Sequence, residues 1–358
     1  MTSTQRNPFR YGDVALDEAF TDRRAELDEL QRDMVNGQNV VVFAPRRYGK
    51  TSLVWRAAQE LVAADRLLVA QVDLMTTPTK ERLAEKLAKA IHDDLASPAA
   101  RARDRVLALF SGLRVRPVLQ LDPDDGSLSF SFQASHRPED IDATLERLLE
   151  LPAQLAAERR RPVAVVFDEF QEVLGIDPRL PALMRAVFQL QPDVAHVYLG
   201  SRHSLMHRLF DDANEPFWRS AKKVELGPIP AELFRPFLLE RFAATGRRLD
   251  GPAADRLLAI THGHPNGTQE LAYFLWEETA RGGVAREDAL QRAVAAVLRS
   301  EGAHFARIWE KAAASHRLLL QALAHGPMPR ITDQVRAQWG LPHDATVRKA
   351  LGVLEDDE

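Results

Sequence analysis

The sequence predicts an α/β protein: a parallel sheet flanked by helices and followed by helical segments toward the C-terminus. Three observations carry this expectation. Val40 to Leu53 reads V-V-V-F-A-P-R-R-Y-G-K-T-S-L, an apolar run of buried-strand type that breaks at Ala44-Pro45 and re-emerges at Thr51 in a helix-compatible pattern. Pro162 to Glu172 reads P-V-A-V-V-F-D-E-F-Q-E, a second apolar run that feeds straight into paired carboxylates. Around them strand-like and helix-like patterns alternate, as a parallel sheet requires.

Ala44 to Thr51 fits a phosphate-binding loop: glycine or alanine, four residues, Gly-Lys, then serine or threonine. Without a Cβ, Gly49 lets the backbone turn and aim its N–H groups at phosphate oxygens; the expectation is that this turn leaves no room for alanine. Lys50 can reach the β- and γ-phosphates, the Thr51 hydroxyl can take one Mg²⁺ position, and the following helix aims its positive dipole end at the anion. Ala44, Pro45, Arg46, Arg47, Tyr48, Gly49, Lys50, Thr51 and Ser52 are thus the candidate nucleotide contacts. Ala44 stands where glycine is commonest, and a small Cβ is tolerated there. Two readings of Arg46 and Arg47 stay open, phosphate contact or pairing with neighbouring carboxylates.

At 358 residues the chain is long for one core, and two or three domains are expected. A hydrophobic content of 45% with 27% charged residues predicts a soluble globular protein. No segment approaches the roughly 20 apolar residues of a membrane span, and the N-terminus lacks the apolar core of a signal peptide, so the expected compartment is the cytoplasm. The absence of cysteine excludes disulfides, thiolate metal sites and cysteine nucleophiles. A net charge of −4 offers no global basic field for nonspecific nucleic-acid binding.

In chain order, residues 1–15 form a polar N-terminal arm in which Asn7-Pro8-Phe9 can dock its phenyl ring. Leu27, Leu30 and Met34 mark a helix that Thr21 or Asp22 can cap. After the loop come a helix from Thr51 to Ala64, a strand from Leu67 to Asp73 and a helix from Lys80 to Leu95. Ser127 to Phe132 alternates with period two, a hairpin edge read as peripheral decoration. Ile141 to Glu158 is helical, and Arg159-Arg160-Arg161 reads as its solvated end rather than a DNA contact.

The run ending at Asp168-Glu169 places its acids at the carboxyl edge of the sheet, where ligands bind in open α/β folds. Beside a phosphate loop this is a Walker B pattern: Asp168 would hold Mg²⁺ and Glu169 would orient and deprotonate a water. Val194 to Arg202 repeats the design and ends in Gly-Ser-Arg, so Ser201 and Arg202 are candidate γ-phosphate sensors, the alternative being a plain turn. His203 and His207 lie four apart, but Ser204 follows the first histidine where the zinc-protease pattern needs glutamate, and no metal is expected there. Past Gly227-Pro228-Ile229-Pro230 the chain reads as helices at Ala231 to Thr245, Gly251 to His262 and Gly267 to Arg281, the last two joined by Thr261-His262-Gly263-His264-Pro265. Helices at His316 to Ala324, Ile331 to Trp339 and Ala345 to Leu354 match a helix-turn-helix layout. No β-wing follows before Glu355-Asp356-Asp357-Glu358, and the unit reads as cut short.

Phe20 to Leu27, Pro45 to Ser52, Phe167 to Glu172, Gly200-Ser201-Arg202 and Gly263-His264-Pro265, in this order, resemble the archaeal-type ATPase family of the STAND class of AAA-related P-loop ATPases, also found in bacteria. The resemblance implies a P-loop NTPase core over 16–227, a helical lid over 228–300 and a C-terminal winged-helix-like domain over 301–358. It implies ATP and Mg²⁺, slow hydrolysis and nucleotide-dependent self-association. By similarity to an F-x-G-R-x-x-E-L stretch that packs beside adenine, Arg23 would approach the nucleotide, although Asp22 replaces the glycine and a plain amphipathic helix is the alternative. By similarity to the G-x-P turn of signal-transduction ATPases, Pro265 would pack over the base.

The resulting expectation is an ATP-hydrolysing molecular switch. Lys50 and Mg²⁺ neutralise phosphoryl charge, Glu169 positions water, and Arg202 reports the γ-phosphate to the lid. Its partners are ATP and ADP, with self-association or a protein partner and no membrane. The rival is a nucleotide-gated module with little turnover that grips a protein, or DNA, through Arg317, Arg330, Arg336, Arg348 and Lys349 of the C-terminal domain, basic residues diluted by the acidic end. Phosphoryl transfer to a small molecule would need an acceptor-binding motif, and none is read.

Overall fold

The computed structural model describes residues 6–12, 20–21, 23–95, 109–110, 112–115, 118–121, 128–132, 137–325 and 332–356. They fall into two compact units, an α/β unit of Arg23–Ala44 and Lys50–Leu226, and a helical unit of Met1–Asp22, Pro45–Gly49 and Gly227–Glu358.

The strands are numbered in chain order: β1 Val40–Phe43, β2 Leu68–Asp73, β3 Val118–Leu121, β4 Leu128–Ser131, β5 Val163–Asp168, β6 Val194–Gly200, β7 Lys222–Glu225, β8 Arg248–Leu249 and β9 Val284–Ala285. The main sheet runs β2-β5-β6-β1-β7 with every pair parallel. Every residue of β1 and β6 is buried, as in strands covered on both faces, which is why they read as unbroken apolar runs. β7 reads K-K-V-E and buries only Val224, so its periodicity announces nothing. Ladder bonds place it: Lys222 N–H donates to Asn39 O (2.8 Å) and Leu226 N–H to Phe43 O (2.9 Å). Its lysines suit an edge strand.

Burial pins the flanking helices. Arg24–Val35 buries Leu27, Leu30 and Met34. Its capping position is taken not by Thr21 but by Arg23, at φ 128° and without a side-chain cap; Asp22 lies outside the described residues. The helix expected over Lys80 to Leu95 is α-helical only as Lys80–Ala90 and finishes in a π-turn, Ile91–Leu95, that buries Ile91, His92 and Leu95. β3 and β4 form the expected hairpin, yet Phe130 and Phe132 are buried in the main core and Phe130 packs edge-on to Phe110 at 5.5 Å. The hairpin is therefore part of the core and not decoration. Pro138–Arg159 ends on Arg160 in the left-handed conformation, and Arg161 pairs with Asp65 at 2.5 Å, so the arginine run is a helix terminus.

In the helical unit, Ala231–Ala244, Gly251–Thr261, Pro265–Glu277 and Glu287–Ser300 pack around Phe234, Leu238, Phe242, Leu257 and Leu275. Phe9 of the N-terminal arm enters this core at 1% exposure, its ring 5.3 Å from Phe242. Asn7 Nδ2 donates to Tyr273 O and Glu277 Oε1, both at 3.1 Å. The third helix starts at Pro265 rather than Gly267, because His264 Nδ1 accepts the Gly267 N–H (3.0 Å) and proline suits the first helical position. Gly302–Lys311, Ala314–Leu323, Asp333–Trp339 and Asp344–Asp356 follow, with a small core of Leu319, Ala322, Leu341, Val347 and Ala350. No strand occurs among the described residues of this stretch, and Arg330 lies outside them. No described helix is long and apolar enough to cross a membrane.

Candidate functional site

In the α/β unit the sheet order sets β6 between β1 and β5, so residues at their carboxyl ends share one edge. Lys50 is buried at 6% exposure and its Nζ donates to the Ala44 carbonyl at 2.7 Å. Beside it in sequence, Thr51 Oγ1 donates to Asp168 Oδ2 at 3.1 Å. Burial, then the charge of Glu169, push the Asp168 carboxyl above its ordinary range, with Asp73 adding and the Thr51 hydroxyl opposing. Such a carboxylate gains from a cation. Among the described residues no cluster of three acidic or histidine ligands could hold a metal by itself. Thr51 and Asp168 fit Mg²⁺ in the manner of nucleotide sites, where one hydroxyl and one carboxylate share the ion with phosphate and water.

Glu169 sits in the left-handed region (φ 53°), its N–H donating to Asp168 Oδ1 at 2.9 Å. Its Oε2 accepts two hydrogen bonds, from Ser201 Oγ at 2.8 Å and from Gln171 Nε2 at 2.5 Å. The Ser201 hydroxyl is thus spent on Glu169. Arg202 is half exposed, with Nη1 4.0 Å from Glu172 Oε1, a pairing too loose to hold it. Arg23 is buried at 7% exposure, and its Nη1 lies 3.4 Å from Glu26 Oε1 of its own helix. Ser52 is buried in the helix that begins at Lys50.

In the helical unit, Pro45–Gly49 lies with the Gly263 turn and the helix Pro265–Glu277. The Tyr48 ring meets the His264 ring edge-on at 4.7 Å. Arg46 and Arg47 are exposed. His264 is held below its ordinary pKa by burial first and then by the Arg47 charge; Glu270 is raised by burial and Glu301 while Arg47 opposes. Arg47 therefore faces a carboxylate of this helix electrostatically. Gly49 has φ 84°, yet a Cβ built there meets nothing within 4 Å beyond its chain neighbours among the described residues. The expectation of a crowded turn is corrected: the backbone angle, not space, requires glycine. At Gly263 both apply, since φ is 71° and a Cβ would lie 2.2 Å from Ile229 O. Ile229 N–H in turn donates to Gly263 O (2.9 Å), so this turn is locked to the Pro228–Pro230 segment, with Pro265 just beyond it. A cleft of about 390 Å³ lined by Pro228, Pro230, Asp255, Leu258 and His262 opens here, and none of the predicted nucleotide contacts lines it.

Two functional-looking side chains escaped the sequence reading. Gln171 is 2% exposed and Glu270 8%, each with a buried Oε1 that has no partner among the described residues. Gln171 follows the acid pair Asp168-Glu169 within the same motif, and its residue type alone carries no signal. Glu270 is the charged member of a buried polar run, Thr268-Gln269-Glu270, in a helix that otherwise buries Leu271, Ala272, Leu275 and Trp276.

The parallel order of the sheet, with a Gly-Lys-Thr turn between β1 and the helix after it, is that of a P-loop NTPase. A family described as an ATPase domain predominantly from Archaea matches residues 20–271, and the chain belongs to that family. No curated protein matches it. Among solved structures it is similar to a Walker-type ATPase of Pyrococcus abyssi, at TM-score 0.62 and 17% identity over 96% of this chain and 91% of that one. The ORC2 protein of Aeropyrum pernix, in ADPNP and ADP complexes, aligns at TM-score 0.54 and 16% identity over 97% and 90%. The ORC1 protein of Aeropyrum pernix in complex with DNA aligns at TM-score 0.51 and 16% identity over 94% and 83%. At these identities the likeness is one of fold.

Proposed function

We propose that this protein is a Mg²⁺-dependent, ATP-hydrolysing molecular switch of the STAND type, built as a P-loop core over 16–227, a lid over 228–300 and a winged-helix-like C-terminal domain. The observation that carries the reading is the Thr51 Oγ1 contact with Asp168 Oδ2 at 3.1 Å, which brings a loop hydroxyl and a strand-tip carboxylate to one cation-sized position. Thr51 and Asp168 would hold Mg²⁺, which when bound neutralises charge on the phosphate oxygens.

Lys50 exchanges the Ala44 carbonyl for the β- and γ-phosphates, an easy trade because a charged ammonium prefers the anion. The backbone of Pro45 to Gly49 surrounds the phosphates. Glu169 orients the attacking water and takes its proton, with Ser201 acting through Glu169 rather than on the γ-phosphate directly. Arg202, loosely held, is the side chain that meets the γ-phosphate, and Arg23 approaches the adenine. The nucleotide shifts the lid by binding its two arrangements unequally, and self-association in the cytoplasm follows its state.

The binding-module alternative is less supported, because Arg336 and Arg348 pair with Asp333 and Asp344 of their own helices and Arg317 donates to the Trp309 and Glu310 carbonyls. A Mg²⁺ titration of phosphate release tests the proposal: activity requires the ion, and Thr51→Ala raises the requirement while Thr51→Ser keeps it. Release that ignores Mg²⁺ contradicts it.

A further inference from the structure

We infer that Gln171 is a positioning residue for the Glu169 carboxylate, governing turnover through that side chain alone; this rests on the hydrolytic reading above. Gln171 lies in the short turn Phe170–Glu172 that follows β5. Its Nε2 donates to Glu169 Oε2 at 2.5 Å, the same oxygen that accepts from Ser201 at 2.8 Å. Two donors on one oxygen fix the plane of the carboxylate. Among the described residues none donates to its other oxygen, which is left for a water.

The opposite end of the Gln171 amide makes the case. Its Oε1 is buried and has no partner among the described residues. An amide serving only the core would have both ends satisfied, since a bare buried acceptor is a standing cost. A flipped amide would set oxygen against a carboxylate oxygen, so the donor must face Glu169. The fold makes room for this arrangement. A Cβ at Gly200 would lie 2.3 Å from Met206 Sδ and 2.7 Å from Gln171 Oε1, so the glycine at the tip of β6 leaves room for the Met206 side chain and the Gln171 amide together. The backbone is held too: Glu169 is left-handed, and Glu172 N–H donates to Glu169 O at 3.0 Å, closing the turn. Glu169 is thereby fixed at both backbone and carboxylate.

The test compares the parent, Gln171→Met, Glu169→Gln and the double variant by kcat and KM for phosphate release from ATP, affinity for a fluorescent ADP analogue, and thermal midpoint. Methionine keeps the length and removes both the donor and the bare acceptor. Gln171→Met is expected to lower kcat about tenfold or more, the scale of one charge-assisted hydrogen bond. KM and ADP-analogue affinity stay within about twofold, and the thermal midpoint is unchanged or higher. In the Glu169→Gln background the same substitution changes kcat by less than about twofold, because its effect passes through Glu169. Should Gln171→Met not fold, Gln171→Leu, apolar and without donor, acceptor or charge, is read in the same way. The inference is overturned if kcat is parental, if the loss persists undiminished beside Glu169→Gln, or if it follows a fall in thermal midpoint. A parent that releases no phosphate overturns the hydrolytic reading and this inference with it; a hydrolysing parent matched by Gln171→Met overturns the inference alone.

Discussion

Asp73 and Asp168 are partners in the final rung of the β2–β5 ladder, so two neighbouring parallel strands deliver carboxylates to one edge of the sheet. The charge of Asp73 adds to burial and Glu169 in raising the Asp168 carboxyl. Asp73→Asn therefore weakens the pull on a cation at Asp168 while still accepting the Met75 N–H that Asp73 Oδ1 takes at 2.8 Å. The Mg²⁺ concentration for half-maximal phosphate release should rise about threefold, as expected for one charge removed in partly screened surroundings. An unchanged titration contradicts this coupling.

Gly49 separates two explanations of a glycine. Because φ is 84° and a built Cβ meets nothing among the described residues beyond its chain neighbours, Gly49→Ala meets only backbone strain, about 1–2 kcal/mol. Affinity for a fluorescent ADP analogue should fall roughly tenfold, and Gly49→Asn should lose less because asparagine tolerates this region. Equal losses would point to crowding.

His196 sets an acid limit on stability. Its ring is buried, stacked on Phe188 at 3.8 Å and bonded through Nδ1 to Asn39 Oδ1 at 3.0 Å. Burial first, and Arg185 second, press its pKa down from 6.5 to about 3. The folded chain keeps it neutral and the unfolded chain protonates it near its ordinary value. The stabilisation is thus complete above pH 6.5 and shrinks as pH falls toward 3. Urea midpoints should drop between pH 7.5 and 5, and His196→Gln should flatten that slope.

Phe9 belongs to the core of the helical unit, so Phe9→Ala should destabilise that unit by about 3–5 kcal/mol and Phe9→Leu by much less. Urea unfolding followed by tryptophan fluorescence reads this through Trp276 in the same core. Equal stability for Phe9→Ala would mean the arm is not part of it.

The elements legible in the sequence were those whose burial is uniform. β1, β5 and β6 are covered on both faces and read as apolar runs; the loop and acid pair stood out because they end such runs. β7 was invisible because an edge strand needs only one buried side chain, Val224. The π-turn at Ile91–Leu95 keeps the apolar pattern of a helix and so hid inside one. At the site, residue types were readable but partners were not. Ser201 donates to Glu169, a partner that the neighbouring strand supplies and that sequence spacing does not show. The buried Oε1 atoms of Gln171 and Glu270 have no partner among the described residues, a feature that no spacing rule reports.

Phosphate release from ATP by the parent, Lys50→Ala and Glu169→Gln under saturating Mg²⁺ tests the hydrolytic switch most directly. The parent should turn over slowly but measurably and both variants should lose turnover, with nucleotide affinity kept in Glu169→Gln and lost in Lys50→Ala. Release by either variant at the parental rate would contradict the hydrolytic switch.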